Sequence, residues 1–186
     1  MAVHTNYAFV PGPMNDELPP EDMEACAAQE AMDFDEGAYH HIQETRSDSL
    51  TVAQADSPAG FAAWVIEKFR SWSDCDGDVE SVFSKDLLCT NLMFYWAPAS
   101  IASAARIYWE TAHDPFRHWG WPNPQILAPT VIASFPKDPF QRPRSWCERH
   151  FNLKRWTRMP RGGHFPAMEQ PQLLLDDVRA FLRDYR

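Results

Sequence analysis

The fold is decided by residues 126–165, which read ILAPTVIASFPKDPFQRPRSWCERHFNLKRWTRMPRGGHF. An apolar run rich in Val and Ile fills 126–135 between prolines, and this pattern predicts a buried strand. Residues 143–151 suit a helix, and alternating apolar and basic residues over 153–159 predict a second strand. Since an amphipathic helix follows over 171–185, the order strand, helix, strand, helix predicts a parallel sheet with helices packed against it.

The chain before this unit carries its apolar side chains at helical spacing, without strand-like alternation. Helices are predicted over 56–72, 84–96 and 101–109. Two strands are too few for a parallel sheet to bury both faces, so the predicted fold class is α/β but incomplete. We expect three regions: an acidic, partly disordered opening segment over 1–36, a helical region over 37–124, and the C-terminal part of an α/β core over 125–186.

Net charge, cysteine spacing and the lack of long apolar runs argue against several classes of partner and cofactor. The 186 residues carry a formal net charge of −9, which argues against nucleic acid or an anionic membrane surface as a partner. The four cysteines lie far apart, and the aspartates 74, 76 and 78 form a solvated turn without calcium-loop spacing, so no metal or other cofactor is expected. With neither a secretory signal nor a run of about 18 apolar residues, the sequence predicts a cytoplasmic location without a membrane anchor.

Two polar residues follow the two predicted strands. His164 lies in Arg161-Gly162-Gly163-His164-Phe165, after the second strand, and Asp138 closes the first. Because neighbouring parallel strands are about 5 Å apart, the carboxylate is expected to reach the imidazole. An acid that holds one ring nitrogen leaves the other as a general base. A solvent-facing histidine and a solvated turn carboxylate remain the alternatives.

Ordered motifs spread over residues 37–186 resemble those of one enzyme family. They are YHHIQ at 39–43, DSPAGFAAW at 56–64, EKF at 67–69, LLCTN at 87–91, YW at 95–96, ARIY at 105–108, RGGHF at 161–165 and EQP at 169–171. On these motifs the chain is similar to the C-terminal half of microsomal-type epoxide hydrolases, which have an α/β-hydrolase fold with a helical lid. The lid would then occupy residues 37–124. Val3-His4-Thr5-Asn6 also resembles a strand end of that fold.

The resemblance implies a mechanism and a set of residues. In that family an aspartate attacks an epoxide carbon, two lid tyrosines hydrogen-bond the epoxide oxygen, and water activated by a His–acid pair hydrolyses the resulting ester to a vicinal diol. By motif, His164 would be the base and Asp138 its orienting acid. Tyr108 and Tyr39 would be the phenol donors. The implied substrate is a small apolar epoxide.

The family's nucleophile elbow, Gly-x-Asp-x-Gly, is missing from the 186 residues, since no two of the seven glycines are four positions apart. Little or no turnover is therefore expected from this chain alone. Two alternatives stay open. One is a truncated or pseudoenzyme fragment that acts by protein interaction and self-associates through an exposed sheet edge. The other is a different α/β-hydrolase reaction, ester or haloalkane hydrolysis.

Overall fold

The computed structural model describes residues 1–8, 10, 20–114 and 125–185. Parts of the predicted acidic segment (9 and 11–19) and of the predicted helical region (115–124) lie outside this description. The chain divides into two compact units. The first contains Met1–Met32, Trp72–Asp74 and His118–Arg186, and the second contains Asp33–Ser71 and Cys75–Arg117.

The described residues form three strands and eight α-helices. The strands are β1 (Val3–Thr5), β2 (Ile126–Ser134) and β3 (Phe151–Arg158). The helices are α1 (Pro20–Glu36), α2 (Ala38–Asp56), α3 (Pro58–Trp72), α4 (Lys85–Trp96), α5 (Ile101–His113), α6 (Arg144–His150), α7 (Pro166–Glu169) and α8 (Pro171–Leu182). Short 3₁₀ turns cover Val79–Ser81 and Arg183–Tyr185. Among these helices none is long and apolar enough to cross a membrane.

The first unit is built on a parallel sheet with the order β1-β2-β3. The two strands predicted over 126–135 and 153–159 are β2 and β3, and their parallel pairing is as predicted. The expectation of two strands was wrong by one, because β1 adds a third. Three residues are too short to show alternation, so periodicity missed β1, which lies where the resemblance placed a strand end. Self-association through a sheet edge stays a prediction.

Both faces of β2 are buried. Ile132 packs with Trp146 and Cys147 of α6, whereas Ala133 contributes to a second cluster with Phe135 and the chain after β3. Successive strand residues point to opposite faces, so a continuous apolar run serves both clusters. Burial raises the pKa of the Cys147 thiol to about 12, so this cysteine remains a neutral core residue.

The described part of the second unit is helical, and its helices α3, α4 and α5 match those predicted over 56–72, 84–96 and 101–109. The Ser84 hydroxyl accepts a hydrogen bond from Leu87 N at 3.2 Å and starts α4, and Ser57 accepts one from Gly60 N at 3.1 Å at the start of α3. Helix α2 was not predicted as a separate element. Its buried face consists of polar residues, so no apolar stripe marks it: Gln43, Ser47, Thr51 and Gln54.

One carboxylate ties the first unit's sheet to a helix. His4, Val131 and Arg155 lie in register across the three strands. Asp177 of α8 lies 2.7 Å from His4 Nε2 through Oδ2, and its Oδ1 accepts hydrogen bonds from Arg155 Nη2 at 2.7 Å and from Thr157 Oγ1 at 3.0 Å. The side chains of Asp177 and His4 are only 10% and 8% exposed. This network therefore fastens both outer strands to α8.

We expect Asp177→Asn to lower the free energy of unfolding by about 2 kcal/mol or more, because the carboxamide has no negative charge and keeps only one acceptor oxygen for His4 and Arg155. The matched control is Asp176→Asn, one residue earlier on α8, whose side chain is 61% exposed and 4.0 Å from Arg179. An exposed pair of this kind contributes less than about 1 kcal/mol. Urea denaturation followed by circular dichroism measures both, and equal losses in the two variants would contradict the assignment.

Candidate active site

The loop Arg161–Phe165 depends on two glycines. Gly162 has φ +104°, and a Cβ there would lie 2.8 Å from Phe135 Cδ1. A Cβ on Gly163 would lie 2.4 Å from the Trp72 carbonyl oxygen. Only glycine allows both the positive φ and the close backbone approach. The loop therefore packs directly against residues 72–74 and presents His164 after the carboxyl end of β3.

The buried carboxylate of Glu169 holds the backbone on both sides of His164. Its Oε2 accepts hydrogen bonds from Gly163 N at 2.9 Å and Asp74 N at 2.8 Å, and its Oε1 accepts one from Phe165 N at 2.8 Å. Glu169 belongs to one of the sequence motifs, EQP at 169–171, but no role was predicted for it. Its only signal was an acidic residue five positions after the histidine, at the end of the very short helix α7.

Residues 72–74 complete the support of the loop. His164 N donates to Trp72 O at 2.8 Å, and Gly162 N donates to Asp74 Oδ2 at 2.8 Å. Asp74 was interpreted as part of a solvated turn, and that interpretation was wrong for this residue. Its backbone and its side chain both bond within the first unit, which the sequence spacing of three aspartates gave no means to foresee.

His164 and Asp138 form a hydrogen-bonded pair. The His164 Nδ1 lies 3.1 Å from Asp138 Oδ1, and the carboxylate side chain is 2% exposed. Asp138 follows β2 in a turn closed by its N–H to Phe135 O at 3.2 Å, and Phe140 N donates to Oδ1 at 3.0 Å. Because an ionised carboxylate can only accept, it assigns the proton of the neutral ring to Nδ1. His164 Nε2 is then an acceptor, and the side chain is 22% exposed.

Aromatic rings enclose the His164 imidazole. The ring centroids of Phe140, Phe165, Trp72 and Tyr7 lie 5.0, 5.1, 5.2 and 5.7 Å from that of the imidazole, all at steep interplanar angles. Edge-on packing of this kind fixes the ring plane and restricts the water around it. The arrangement suits a base that works beside an apolar molecule.

The two predicted phenols lie together in the second unit. Tyr39 of α2 and Tyr108 of α5 have ring centroids 6.0 Å apart at 81°. Burial raises the pKa of the Tyr108 phenol, and hydrogen bonds with the side chains of Tyr39 and Gln43 oppose that rise without cancelling it. Tyr108 therefore stays protonated, and able to donate, to a higher pH than a free tyrosine.

A cation lies over the ring of Tyr39. Lys68 Nζ is 5.7 Å from the ring centroid, 2.8 Å from Glu36 Oε2 and 2.9 Å from Glu67 Oε2. Burial lowers the pKa of Lys68, but the hydrogen bonds and charges of Glu36 and Glu67 outweigh it, so the net direction is upward. The ammonium thus remains charged and holds the first turn of α2 to α3.

The structure brings each predicted pair together: His164 with Asp138 in the first unit, and Tyr39 with Tyr108 in the second. Each of these four side chains thus contacts the other member of its own pair. In the described part of the chain no group of three His, Cys, Asp or Glu side chains is arranged to hold a metal ion.

We expect Glu169→Gln to loosen the His164 loop, because a carboxamide nitrogen cannot accept the backbone hydrogen bonds that one carboxylate oxygen now accepts. The loss of one buried acceptor costs about 1 to 3 kcal/mol. Amide hydrogen exchange should become faster at Gly163 or at Phe165, according to which of the two oxygens is replaced by the carboxamide nitrogen. Glu148→Gln, the same change at an exposed acid of α6, is the control and should leave these two amides unchanged. Wild-type protection in Glu169→Gln would refute the role.

The chain is similar in sequence to proteins named as epoxide hydrolases. No family model matches the chain. A protein of Stigmatella aurantiaca named as an epoxide hydrolase is 37% identical over 99% of this chain and 41% of its own length. Epoxide hydrolase 1 of Oryctolagus cuniculus is 37% identical over 79% of this chain and 34% of its own length. The chain thus spans less than half the length of these relatives.

Among solved structures, the chain is again similar to an epoxide hydrolase. The structure of Aspergillus niger epoxide hydrolase matches with a TM-score of 0.77 and 29% identity, covering 98% of this chain and 46% of that one. This likeness confirms the fold class predicted from residues 126–165 and from the helical region before them.

Proposed function

Because this chain belongs to the epoxide hydrolase family of the α/β-hydrolase fold, we propose that it supplies the proton-transfer groups of such an enzyme. The proposed reaction adds water to a small apolar epoxide and gives a vicinal diol. The observation that carries the proposal is the hydrogen bond between His164 Nδ1 and Asp138 Oδ1, at 3.1 Å. The packed loop around His164 supports it, since a base must be held in one orientation.

In this proposal His164 activates water. With Nδ1–H bonded to Asp138, the free Nε2 removes a proton from a water molecule as its oxygen adds to the carbonyl carbon of an ester intermediate. The Asp138 carboxylate stabilises the imidazolium that forms. The ester C–O bond then breaks, the diol oxygen leaves, and the imidazolium returns the proton to it. His164 is regenerated in its starting tautomer.

Tyr39 and Tyr108 are proposed to act on the epoxide oxygen. Ring opening places negative charge on that oxygen, and a phenol can donate a hydrogen bond to it and then a proton. The raised pKa of Tyr108 keeps its proton in place until charge develops. The pairing of the two phenols also favours an epoxide over an ester or a haloalkane, because a His–acid pair serves all three reactions but only the strained ether needs acids at its own oxygen.

The ester intermediate requires a carboxylate nucleophile, and the 186 residues contain no Gly-x-Asp-x-Gly elbow to present one. A base without a nucleophile leaves the two-step route closed. We therefore propose that the chain by itself binds epoxide but turns it over poorly.

We expect the purified chain to form phenylethanediol from styrene oxide no faster than buffer, because the covalent step lacks its nucleophile. Gas chromatography of the diol measures the rate, and His164→Gln should be indistinguishable from the unchanged chain. Sustained diol formation that disappears in His164→Gln would overturn the proposed inactivity and establish direct attack by water.

We expect Tyr39→Phe and Tyr108→Phe each to weaken the binding of styrene oxide about fivefold, the usual effect of losing one neutral hydrogen bond. Ligand-observed NMR titration measures the affinity. Cyclopropylbenzene, which keeps the shape but has no oxygen, is the control ligand and should bind all three proteins equally. Equal styrene oxide affinity in the variants and the unchanged chain would remove the phenols from the proposed role.

A further inference from the structure

A cavity lies in the first unit, apart from the groups that face His164. Its volume is about 490 Å³. It lies at the carboxyl ends of β2 and β3, between the N-terminal half of α1 and the loop that follows β2. Ligands of α/β sheets commonly bind at this end of the strands, and the volume is that of a small-molecule site.

The charge of the cavity lining is opposite to that of the chain. Among the described residues that line it, three are arginines, Arg142, Arg144 and Arg158, and none is acidic. The chain as a whole has 26 acidic and 17 basic residues, so a wall with three guanidinium groups and no carboxylate departs from the rest of the molecule. Such a wall attracts an anion and repels a cation.

The arginines differ in how far they are already paired. Arg142 Nε donates to Val10 O at 3.3 Å, which holds that side chain against the cavity. Arg144 pairs with Glu148 at 2.7 Å, but both side chains are largely exposed, and such pairs contribute little. The side chain of Arg158 forms no hydrogen bond or ion pair within the described residues. The N–H groups of Arg144 and Arg158 are thus available to a ligand at low energetic cost.

The remaining lining is apolar or already hydrogen-bonded. Trp156 and Met159 offer an indole and a thioether beside the guanidinium groups. Gln141, the neutral polar residue on the loop side, donates through Nε2 to Phe135 O and accepts from Ser134 Oγ at 2.8 Å. The cavity therefore combines a cationic side with an apolar side.

We infer that this cavity binds a small molecule that carries one oxyanion, a carboxylate or a phosphate, on an apolar body. The planar forks of Arg144 and Arg158 match the two oxygens of such a group. The apolar body would lie on Trp156 and Met159. Pro136, Pro139 and Gln141 line the same cavity and belong to the loop that carries Asp138, so a bound molecule would lie beside that loop.

The test is a titration of the full chain with benzoate and with phenyl phosphate, followed by ¹H–¹⁵N NMR. Saturable shifts are expected at amides of 137–144, with dissociation constants of about a millimolar. The tighter probe tells whether carboxylate or phosphate is the preferred oxyanion. Benzamide, which has the shape of benzoate without its charge, should bind at least about tenfold more weakly. Absence of saturation by both anions, or benzamide binding as well as benzoate, overturns the inference.

The variant Arg144→Gln/Arg158→Gln should lose about tenfold in benzoate affinity. Arg179→Gln/Arg183→Gln removes the same charge from the same unit but outside the cavity, and should bind as the unchanged chain does. An equal loss in both double variants would reduce the effect to net charge and overturn the site. Should the first double variant unfold by circular dichroism, Arg158→Gln alone gives the same decision, since the side chain of Arg158 has no partner within the described residues to lose.

Discussion

The position of His164 depends on a carboxylate that takes no part in proton transfer. Glu169 accepts three backbone N–H groups, from Gly163, Phe165 and Asp74, and two of these donors flank the histidine directly. A buried carboxylate is tolerated only when its oxygens are hydrogen-bonded, and here the donors are main-chain groups that would otherwise be buried unpaired. The same contact therefore satisfies the acid and fixes the loop.

This constraint explains the composition of the loop. Glycines at 162 and 163 let the backbone reach both Glu169 and residues 72–74, where any Cβ would meet the Phe135 ring or the Trp72 carbonyl. With the backbone fixed on both sides, His164 has little freedom beyond its own side-chain rotation. Asp138 and the surrounding rings then set that rotation. The main-chain hydrogen bonds fix the position of the residue, and the hydrogen bond to Asp138 fixes the orientation of its imidazole.

How much could be predicted from the sequence differs between local and long-range features. The two longer strands, the capped helices α3 and α4, and the approach of Asp138 to His164 follow from apolar patterning and from the geometry of parallel strands. Helix α2 was not predicted as a separate helix because its buried positions, such as Gln43 and Thr51, are polar. The role of Glu169 was not predicted, although Gly163 and Phe165 lie only a few positions away, because an acidic residue after a histidine has no distinctive spacing. The role of Asp74 was not predicted because it depends on contacts between residues about 90 positions apart. The spacing of residues along the chain does not indicate such a contact.

The loop after β2 has two sides with different chemistry. On one side the Asp138 carboxylate bonds His164 and Phe140 N. On the other, Pro136, Pro139 and Gln141 line the arginine cavity. The loop is short and contains two prolines, and Gln141 is bonded back to Phe135, so its backbone has few conformations. The two sites therefore share one loop, and a ligand in the arginine cavity would lie beside residues within three positions of the carboxylate that orients His164.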